Sequence, residues 1–316
     1  MCYMIRAESL RIDYDDVNAV YDLNLHVSPG EIFGLVGPNG AGKTSTIKAL
    51  AGILDPTYGD IKISGFDLEL DRQNALRKVG YMPDFFAVYE HLKVWEYLDV
   101  FAAAYHIPAS LRLKKIKYWV DMVNLGSKYE TLVRELSRGM RQRLVLAKTL
   151  IPDPDVLLLD EPASGLDPIA RKEMRDVLKD AAAAKKAVVI SSHIQSELSD
   201  FCNAVGIMQQ GKLLVAGAIE DIRRRMQSPG RLVIHVPAEQ AETINRVKDI
   251  LGDHPALTNF QQPRPDEIHV DFSGTPSDAA GILARLVEQA IPVCGFRYQE
   301  DSVEDIFFKC GLKEVS

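Results

Sequence analysis

The sequence predicts an α/β protein with a mostly parallel sheet, followed by a second, smaller α+β domain. Two apolar segments, Val156 to Leu159 and Ala187 to Ile190, are unbroken rather than alternating, as expected for strands that helices cover on both faces. A glycine-rich loop joins a β-prone segment to a helical one, which gives a strand, loop and helix unit. At 316 residues, the chain is long enough for two packed domains.

The composition restricts the class of protein. The formal net charge is -7, with acids and bases interspersed, so a broad basic surface for nucleic acid is not expected, and we expect no nucleic-acid partner. The four cysteines form no CxxC pair, which argues against a zinc site and a disulfide framework. No apolar segment approaches the roughly 18 residues of a membrane helix. Residues 1–6 lack the features of a signal peptide, so we expect a cytoplasmic protein.

The first part of the chain predicts strands and then a helix. Residues 3–36 are strand-like, with turn residues at Asp15-Asp16 and at Ser28 to Gly30, and they predict a short antiparallel β subdomain. The apolar segment Glu31 to Val36 predicts a further strand. Apolar spacing from Thr44 to Ile53 predicts the helix that follows the glycine-rich loop.

The middle of the chain predicts mainly helices. Apolar residues recur at helical spacing between Glu90 and Leu125, which predicts an inserted helical subdomain at about residues 85–135. Most of Phe85, Phe86, Tyr89 and Trp95 are expected to lie in its core, although a few exposed aromatic residues there would fit a docking groove. A further helix, Ile169 to Lys185, is expected between the two apolar strands.

A linker is expected at Gln227 to Gly230, where helix-breaking residues cluster. The predicted domains are therefore 1–228 and 229–316. The second domain has the ferredoxin-like order βαββαβ. Its predicted elements are strand Leu232 to Val236, helix Ala238 to Leu251, strands Leu257 to Gln261 and Glu267 to Phe272, helix Ser277 to Gln289 and strand Val293 to Tyr298, with a short final helix near Ser302 to Lys309.

The glycine-rich loop fits the phosphate-binding pattern GxxxxGK[ST] between a strand and a helix. Its glycines allow successive backbone N–H groups to surround phosphate oxygens, and the following helix directs its positive end at the same anion. Lys43 is expected to reach the β and γ phosphates, and the Thr44 hydroxyl to bind Mg²⁺. The residues predicted to bind nucleotide here are Gly37, Pro38, Asn39, Gly40, Ala41, Gly42, Lys43, Thr44 and Ser45.

Two carboxylates follow the apolar strand that ends at Leu159. Open α/β sheets bind ligands at this edge. Asp160 is expected to hold Mg²⁺, directly or through water. Glu161 is expected to orient and deprotonate a water that attacks the γ phosphate. On its own, this pair is also compatible with carboxylates that merely cap a turn.

The segment Leu136 to Arg143 closely resembles the signature motif of ABC ATPases, and it lies shortly before the acidic strand as in that family. Ser137 is a suitable N-cap, and Gly139 allows close approach of a backbone. The following helix directs its positive end outward, which gives a second anion site. The resemblance implies that this site covers the nucleotide held by the phosphate loop of another copy.

Other residues resemble the same family in order along the chain. Tyr14 is similar in position to the aromatic residue that stacks on adenine, although a half-buried strand tyrosine is the alternative. Ser164 to Asp167 resembles the loop that communicates across the dimer, and His193 resembles the switch histidine at the γ phosphate. Asp84 occupies the position where these ATPases typically have Gln. It is expected to contact nucleotide and Mg²⁺ with an added negative charge, which predicts slower or differently coupled hydrolysis.

The resemblance, over residues 3 to about 225, implies a P-loop NTPase fold of ABC type. It further implies the cofactors ATP and Mg²⁺, catalytic Lys43, Glu161 and His193, and a second ATPase subunit in a dimer, expected to be a homodimer. The membrane permease would be a separate chain, and its helices would dock near Phe85 to Leu125. The ATPase would then lie on the inner face of the cell membrane.

Several alternatives stay open at this stage. The tail from Ser302 to Phe307 resembles ATPase subunits of bacterial exporters, and it alone favours export over import. A soluble ABC ATPase that acts on nucleic acid or ribosomes is the alternative function, although the coiled-coil insertions, paired motors or basic arms of those relatives are not visible. The second domain is also compatible with a small-molecule sensor.

Overall fold

The computed structural model describes residues 3–15, 17–192, 202–225, 230–237 and 241–299. These residues divide after Ile219 into two compact units. Residues 226–229 lie outside the described ranges, so the boundary between 228 and 229 stays a prediction. Within these ranges, no helix combines the length and the apolar character needed to cross a membrane.

The first unit alternates strands and helices. Its strands are β1 (Ile5–Tyr14), β2 (Val17–Val27), β3 (Ile32–Val36), β4 (Tyr58–Ile63), β5 (Phe66–Asp67), β6 (Val79–Met82), β7 (Val156–Asp160), β8 (Ala187–Ser192), β9 (Ala204–Gln209) and β10 (Lys212–Ala218). Its helices are α1 (Lys43–Leu50), α2 (Arg72–Leu76), α3 (Val94–Ala104), α4 (Ala109–Met122), α5 (Arg138–Leu150) and α6 (Pro168–Ala183).

The central sheet has the order β10-β9-β3-β8-β7-β6. The pairs from β9 to β6 are parallel, and only β10 runs antiparallel to its neighbour. Every residue of β3, β7 and β8 is buried, which explains why their sequences are apolar except for the polar residues at the carboxyl ends of β7 and β8. The predicted mostly parallel sheet is confirmed, and it brings the ends of β3 and β7 to one edge.

A second sheet of the first unit is antiparallel, with the order β2-β1-β4-β5. The predicted antiparallel opening is therefore confirmed. One hydrophobic core joins this sheet to the central one through α1. In it, Leu10 and Val20 of the antiparallel sheet cluster with Ile47 of α1 and with Leu158 and Val189 of the central sheet. The core thus fixes α1, and the loop before it, against both sheets.

Helices α3 and α4 lie within the predicted helical subdomain. Tyr97 and Leu98 of α3 are fully buried there. The expectation that most of the four aromatic residues lie in the core is wrong, because Phe86 and Trp95 are only half-buried, while Phe85 is 91% and Tyr89 57% exposed. The few exposed aromatic residues that were also expected are Phe85 and Tyr89. They precede α3 in a segment without regular structure. Such a segment has no periodic apolar face that could be buried. Side chains of the helices, such as Tyr97 and Leu98, form the core instead.

The second unit has the predicted order βαββαβ. After α7 (Ile219–Arg225), which spans the division, its elements are β11 (Gly230–His235), α8 (Ala241–Leu251), β12 (Leu257–Arg264), β13 (Glu267–Phe272), α9 (Pro276–Glu288) and β14 (Gly295–Gln299). The antiparallel sheet has the order β12-β13-β11-β14. Its core joins Leu232 and Ile268 of the strands to Val247 and Ile282 of the helices. The predicted final helix near Ser302 to Lys309 lies outside the described residues.

Candidate functional site

The glycine-rich loop connects β3 to α1 and is held tightly between neighbouring strands. Gly42 has a φ of 100°, and an added Cβ would lie 2.3 Å from the carbonyl oxygen of Ala19 in β2. A Cβ on Gly37 would lie 2.3 Å from the carbonyl oxygen of Met208 in β9. These approaches require glycine at both positions, so the loop conformation follows from its sequence.

Helix α1 begins at Lys43 with no side-chain cap. The N–H groups of a first helical turn have no partner within the helix, and together with the helix dipole they attract an anion. The Lys43 ammonium folds back over the loop and donates to the carbonyl oxygens of Gly37 at 2.7 Å and Pro38 at 3.2 Å. The loop therefore presents backbone donors and one lysine to the same space.

Burial lowers the pKa of Lys43, while the carboxylates of Glu161 and Asp160 act in the opposite direction. The Lys43 Nζ lies 4.0 Å from Glu161 Oε1, and both side chains are largely buried. A buried ammonium gains from nearby negative charge, because burial disfavours its charged form. An anionic ligand in the loop would add to that stabilisation.

Asp160 ends β7 and is 2% exposed. Its Oδ1 accepts hydrogen bonds from Thr44 Oγ1 at 3.1 Å and from Ser191 Oγ at 2.5 Å. Glu161 has a φ of 49°, a left-handed conformation that is uncommon outside glycine. Its N–H donates to Ser191 Oγ at 2.9 Å. The chain thus turns sharply after Asp160, which directs one carboxylate to Thr44 and the next to Lys43.

The Thr44 hydroxyl and the Asp160 carboxylate suit Mg²⁺. Both are hard oxygen ligands, and this ion is usually bound by one or two protein groups together with substrate phosphates and water. Among the described residues, no group of three or more His, Cys, Asp or Glu side chains is arranged to hold a metal by itself. The Thr44 and Asp160 oxygens therefore fit an ion whose remaining ligands come from a phosphate and water.

Asp84 follows β6 at the same edge of the sheet and is exposed. Strand β6 pairs in parallel with β7, with Tyr81 opposite Leu158. Burial raises the pKa of Tyr81 to about 12, and the charges of Asp160 and Asp84 add to this effect. Tyr81 is thus a neutral phenol close to both carboxylates.

The segment that resembles the signature motif begins α5 and packs on the loop after the acidic pair. The Ser137 hydroxyl accepts a hydrogen bond from the N–H of Met140 at 3.3 Å and caps the helix. A Cβ on Gly139 would lie 3.3 Å from the Leu166 side chain. Arg138 Nη2 donates to the carbonyl oxygen of Ser164 at 3.3 Å. Ser137 itself is exposed, so the capped end of α5 faces solvent in the single chain.

Tyr14 lies at the end of β1, is 43% exposed and pairs with Val17 of β2. Two residues further on, Ala19 contacts the phosphate-binding loop at Gly42. The hairpin end that carries Tyr14 therefore lies beside the loop. His193 falls outside the described residues, so its predicted position stays a prediction.

Two residues of this site were missed by sequence reasoning. Ser191 bonds both Asp160 and the N–H of Glu161, and the Gln142 amide donates to the carbonyl oxygen of Pro162. In the register of β7 and β8, Asp160 lies opposite Ser191. The sequence signal that could have identified Ser191 is its place as a polar residue at the carboxyl end of an apolar strand. The sequence alone does not say which strand lies next to β7.

A family model described as ABC transporter matches residues 20–164. The chain is 38% identical over 309 residues to the Nod factor export ATP-binding protein I of Burkholderia thailandensis, covering 96% of this chain and 95% of that protein. It is 39% identical over 201 residues to the uncharacterized ABC transporter ATP-binding protein all4389 of Nostoc sp., covering 63% of this chain and 59% of that protein.

Among solved structures, the chain is similar to the dimeric ATP-binding cassette MJ0796 in a post-hydrolysis state bound to ADP and Pi. The TM-score is 0.62 at 21% identity, and the similarity covers 68% of this chain and 99% of that one. At this level of identity the likeness establishes the fold alone. The predicted fold class of the first unit is thereby confirmed.

Proposed function

Because the chain belongs to the family of ABC transporter ATP-binding proteins, we propose that it hydrolyses ATP with Mg²⁺ to energise export through a separate membrane-spanning permease. The observation that carries this proposal is the convergence of Lys43, Thr44, Asp160 and Glu161 at one edge of the sheet. The Burkholderia relative, matched over nearly its whole length, is named for export. That name supports the direction of transport and leaves the transported molecule open.

In this proposal, the triphosphate lies in the loop from Gly37 to Thr44, where backbone N–H groups and the open end of α1 hold its oxygens. Lys43 binds the β and γ phosphates. Thr44, Asp160 and Asp84 would hold Mg²⁺, which would neutralise developing charge on the phosphates. Ser45 adds a contact from the first turn of α1, and Tyr14 stacks on the adenine ring.

Glu161 is proposed as the general base. Its carboxylate lies 4.0 Å from the lysine that holds the γ phosphate, so a water between the carboxylate and that phosphate is within reach of both. The proton of this water passes to Glu161 as its oxygen bonds to the γ phosphorus, and the bond from phosphorus to the bridging oxygen breaks, which releases ADP and inorganic phosphate. His193 is proposed to contact the γ phosphate from the end of β8.

We propose that two copies pair head to tail. In such a pair, Ser137 and Gly139 of one copy cover the nucleotide bound by the loop of the other. The support is the exposed, capped end of α5, together with the similar fold of MJ0796, which was solved as a dimer. The contact of α5 with the loop after Glu161 would let each copy sense its partner.

The permease is proposed to dock near the helical subdomain. Phe85 and Tyr89 are exposed there, and an aromatic surface of this kind is typical of the centre of an interface. Attachment to the permease would place the chain on the inner face of the cell membrane.

The test is the Lys43→Ala substitution, measured as Mg²⁺-dependent phosphate release and as binding of a fluorescent ATP analogue. Both should be lost, because no other described cation lies in the loop. Lys48→Ala is the matched control, since Lys48 lies in the last turn of the same helix. Retention of full hydrolysis by Lys43→Ala would refute the proposed site.

A further inference from the structure

A groove of about 490 Å³ runs between α4 and α6, apart from the residues assigned above to nucleotide binding. Its apolar part is formed by Tyr118, Trp119 and Met122 of α4 and by Val177 of α6. Ligand sites in proteins usually measure about 300 to 1,000 Å³ and are lined mainly by apolar and aromatic side chains. The groove has the size and lining of a small-molecule site.

Helix α4 carries two distinct apolar stripes. Ile116 and Val120 are fully buried in the core of the first unit. The side chains that line the groove occupy another face, at the helical spacing of Leu111, Tyr118 and Met122. Folding of this chain does not explain that second stripe, because Leu111 remains 49% and Tyr118 55% exposed. An apolar ligand would remove their side chains from water.

The charged residues at the groove favour an anion. Lys114 and Lys115 line it, and neither has an ion pair with any described carboxylate. Lys186 also lines the groove, but it is already paired with Asp153 at 2.5 Å. Asp180 is the opposing charge at the rim. Apart from that ion pair, the groove has two lysines and one aspartate, so its remaining charge is +1 and attracts a single negative group.

We propose that this groove binds an amphipathic carboxylate, with the apolar part against Trp119 and the carboxylate between Lys114 and Lys115. The aliphatic stems of the lysines extend the apolar lining, while their ammonium groups reach the rim. The site is independent of the nucleotide site, and it gives the ATPase unit a place for a second ligand on two helices that flank α5.

Tryptophan fluorescence tests the proposal directly. The chain has two tryptophans, so Trp95→Phe in the full chain leaves Trp119 as the only reporter. Dodecanoate, added below its micelle concentration, should shift the emission saturably to shorter wavelength. Dodecyltrimethylammonium has the same chain length and the opposite charge, and it should give no saturable shift. Equal binding of both probes, or no saturable shift with dodecanoate, would overturn the proposal.

Charge variants supply the matched controls. Replacing Lys114 and Lys115 together by Gln should weaken dodecanoate binding by roughly 5-fold, whereas Asp180→Asn should tighten it by roughly 2-fold, as expected for exposed charges. Ala184→Leu should weaken binding by filling the groove, since Ala184 lines it. Circular dichroism and ATP binding establish that each variant is folded. Identical affinity in the lysine and aspartate variants would exclude recognition of the carboxylate.

Discussion

Ser191 organises the acidic pair through a single hydroxyl group. It donates to Asp160 Oδ1 and accepts from the N–H of Glu161, which uses one donor and one acceptor position of a serine. Both hydrogen bonds described for Asp160 end on Oδ1, so Ser191 and Thr44 together fix the orientation of this carboxylate. The loop and the acidic pair were predictable because their motifs are local in sequence. Ser191 was not, because its role depends on the register between β7 and β8.

Ser191→Ala is expected to lower kcat by about 10- to 100-fold, since a hydrogen bond to a charged group contributes about 1.5 to 3 kcal/mol. ATP binding should change little, because the loop and Lys43 are intact. Steady-state kinetics and nucleotide titration separate the two effects. An equal loss of affinity and turnover would mean that the hydroxyl supports the loop and not the acidic pair.

Asp84→Gln is expected to raise the rate of hydrolysis by roughly 5-fold. It removes a negative charge beside the triphosphate, and the unfavourable interaction between the two amounts to about 1 kcal/mol. Asp84→Asn separates the effect of charge from that of length, because it removes the charge and keeps the length of the aspartate side chain. Measurement of turnover across a range of Mg²⁺ concentrations would also reveal a change in metal affinity. Unchanged rates in both variants would contradict the prediction that Asp84 slows hydrolysis.

At the scale of elements, α5 and the loop from Pro162 to Asp167 act as one piece. The Gln142 amide donates to the carbonyl oxygen of Pro162, and Asp167 caps α6 by accepting from the N–H of Ala170 at 2.8 Å. Helix α5 was predicted from Ser137 as its N-cap, and it begins directly after that residue. Its contact with the loop could not be predicted, because the packing of two elements is not encoded by the pattern of either.

Gln142→Leu is expected to lower the free energy of unfolding by about 1 to 3 kcal/mol, because it leaves a buried carbonyl group without its donor. Urea denaturation measures this loss. ATP-dependent dimer formation should weaken as well, since the loop carries residues proposed to face the partner. Stability and dimerisation that both match the unsubstituted protein would contradict the role given to this contact.

Tyr89→Glu is expected to abolish association with the permease, because a charge at the centre of an aromatic interface is costly to bury. The measurement is copurification of a polytopic membrane protein with the tagged chain from solubilised membranes. Leu70→Glu is the control, since Leu70 is 86% exposed and lies outside the helical subdomain. Undiminished copurification with Tyr89→Glu would place the docking surface elsewhere.

At the scale of the whole molecule, each unit has its own hydrophobic core. The order of elements in the second unit was predictable, because turn residues and apolar periodicity mark its strands and helices. In the first unit, the opening strands, β3, β7, β8 and the longer helices were predictable, whereas β4 to β6, α2, β9 and β10 were not predicted. The order of strands in the sheets was not predictable, since β3 lies between β9 and β8 although these strands are distant in sequence. That arrangement is what brings the loop and the acidic pair together.

The dimer proposed for the whole protein predicts the behaviour of Glu161→Gln. This change removes the base and keeps the shape of the side chain, so ATP should bind, close the pair and remain unhydrolysed. Analytical ultracentrifugation with Mg-ATP should then show a dimer, while ADP should leave the protein monomeric. Adding Lys43→Ala to the same variant should return it to a monomer, because the nucleotide that joins the two copies is no longer held. A Glu161→Gln protein that binds ATP and stays monomeric would contradict the head-to-tail pair, without affecting the assignment of the phosphate loop.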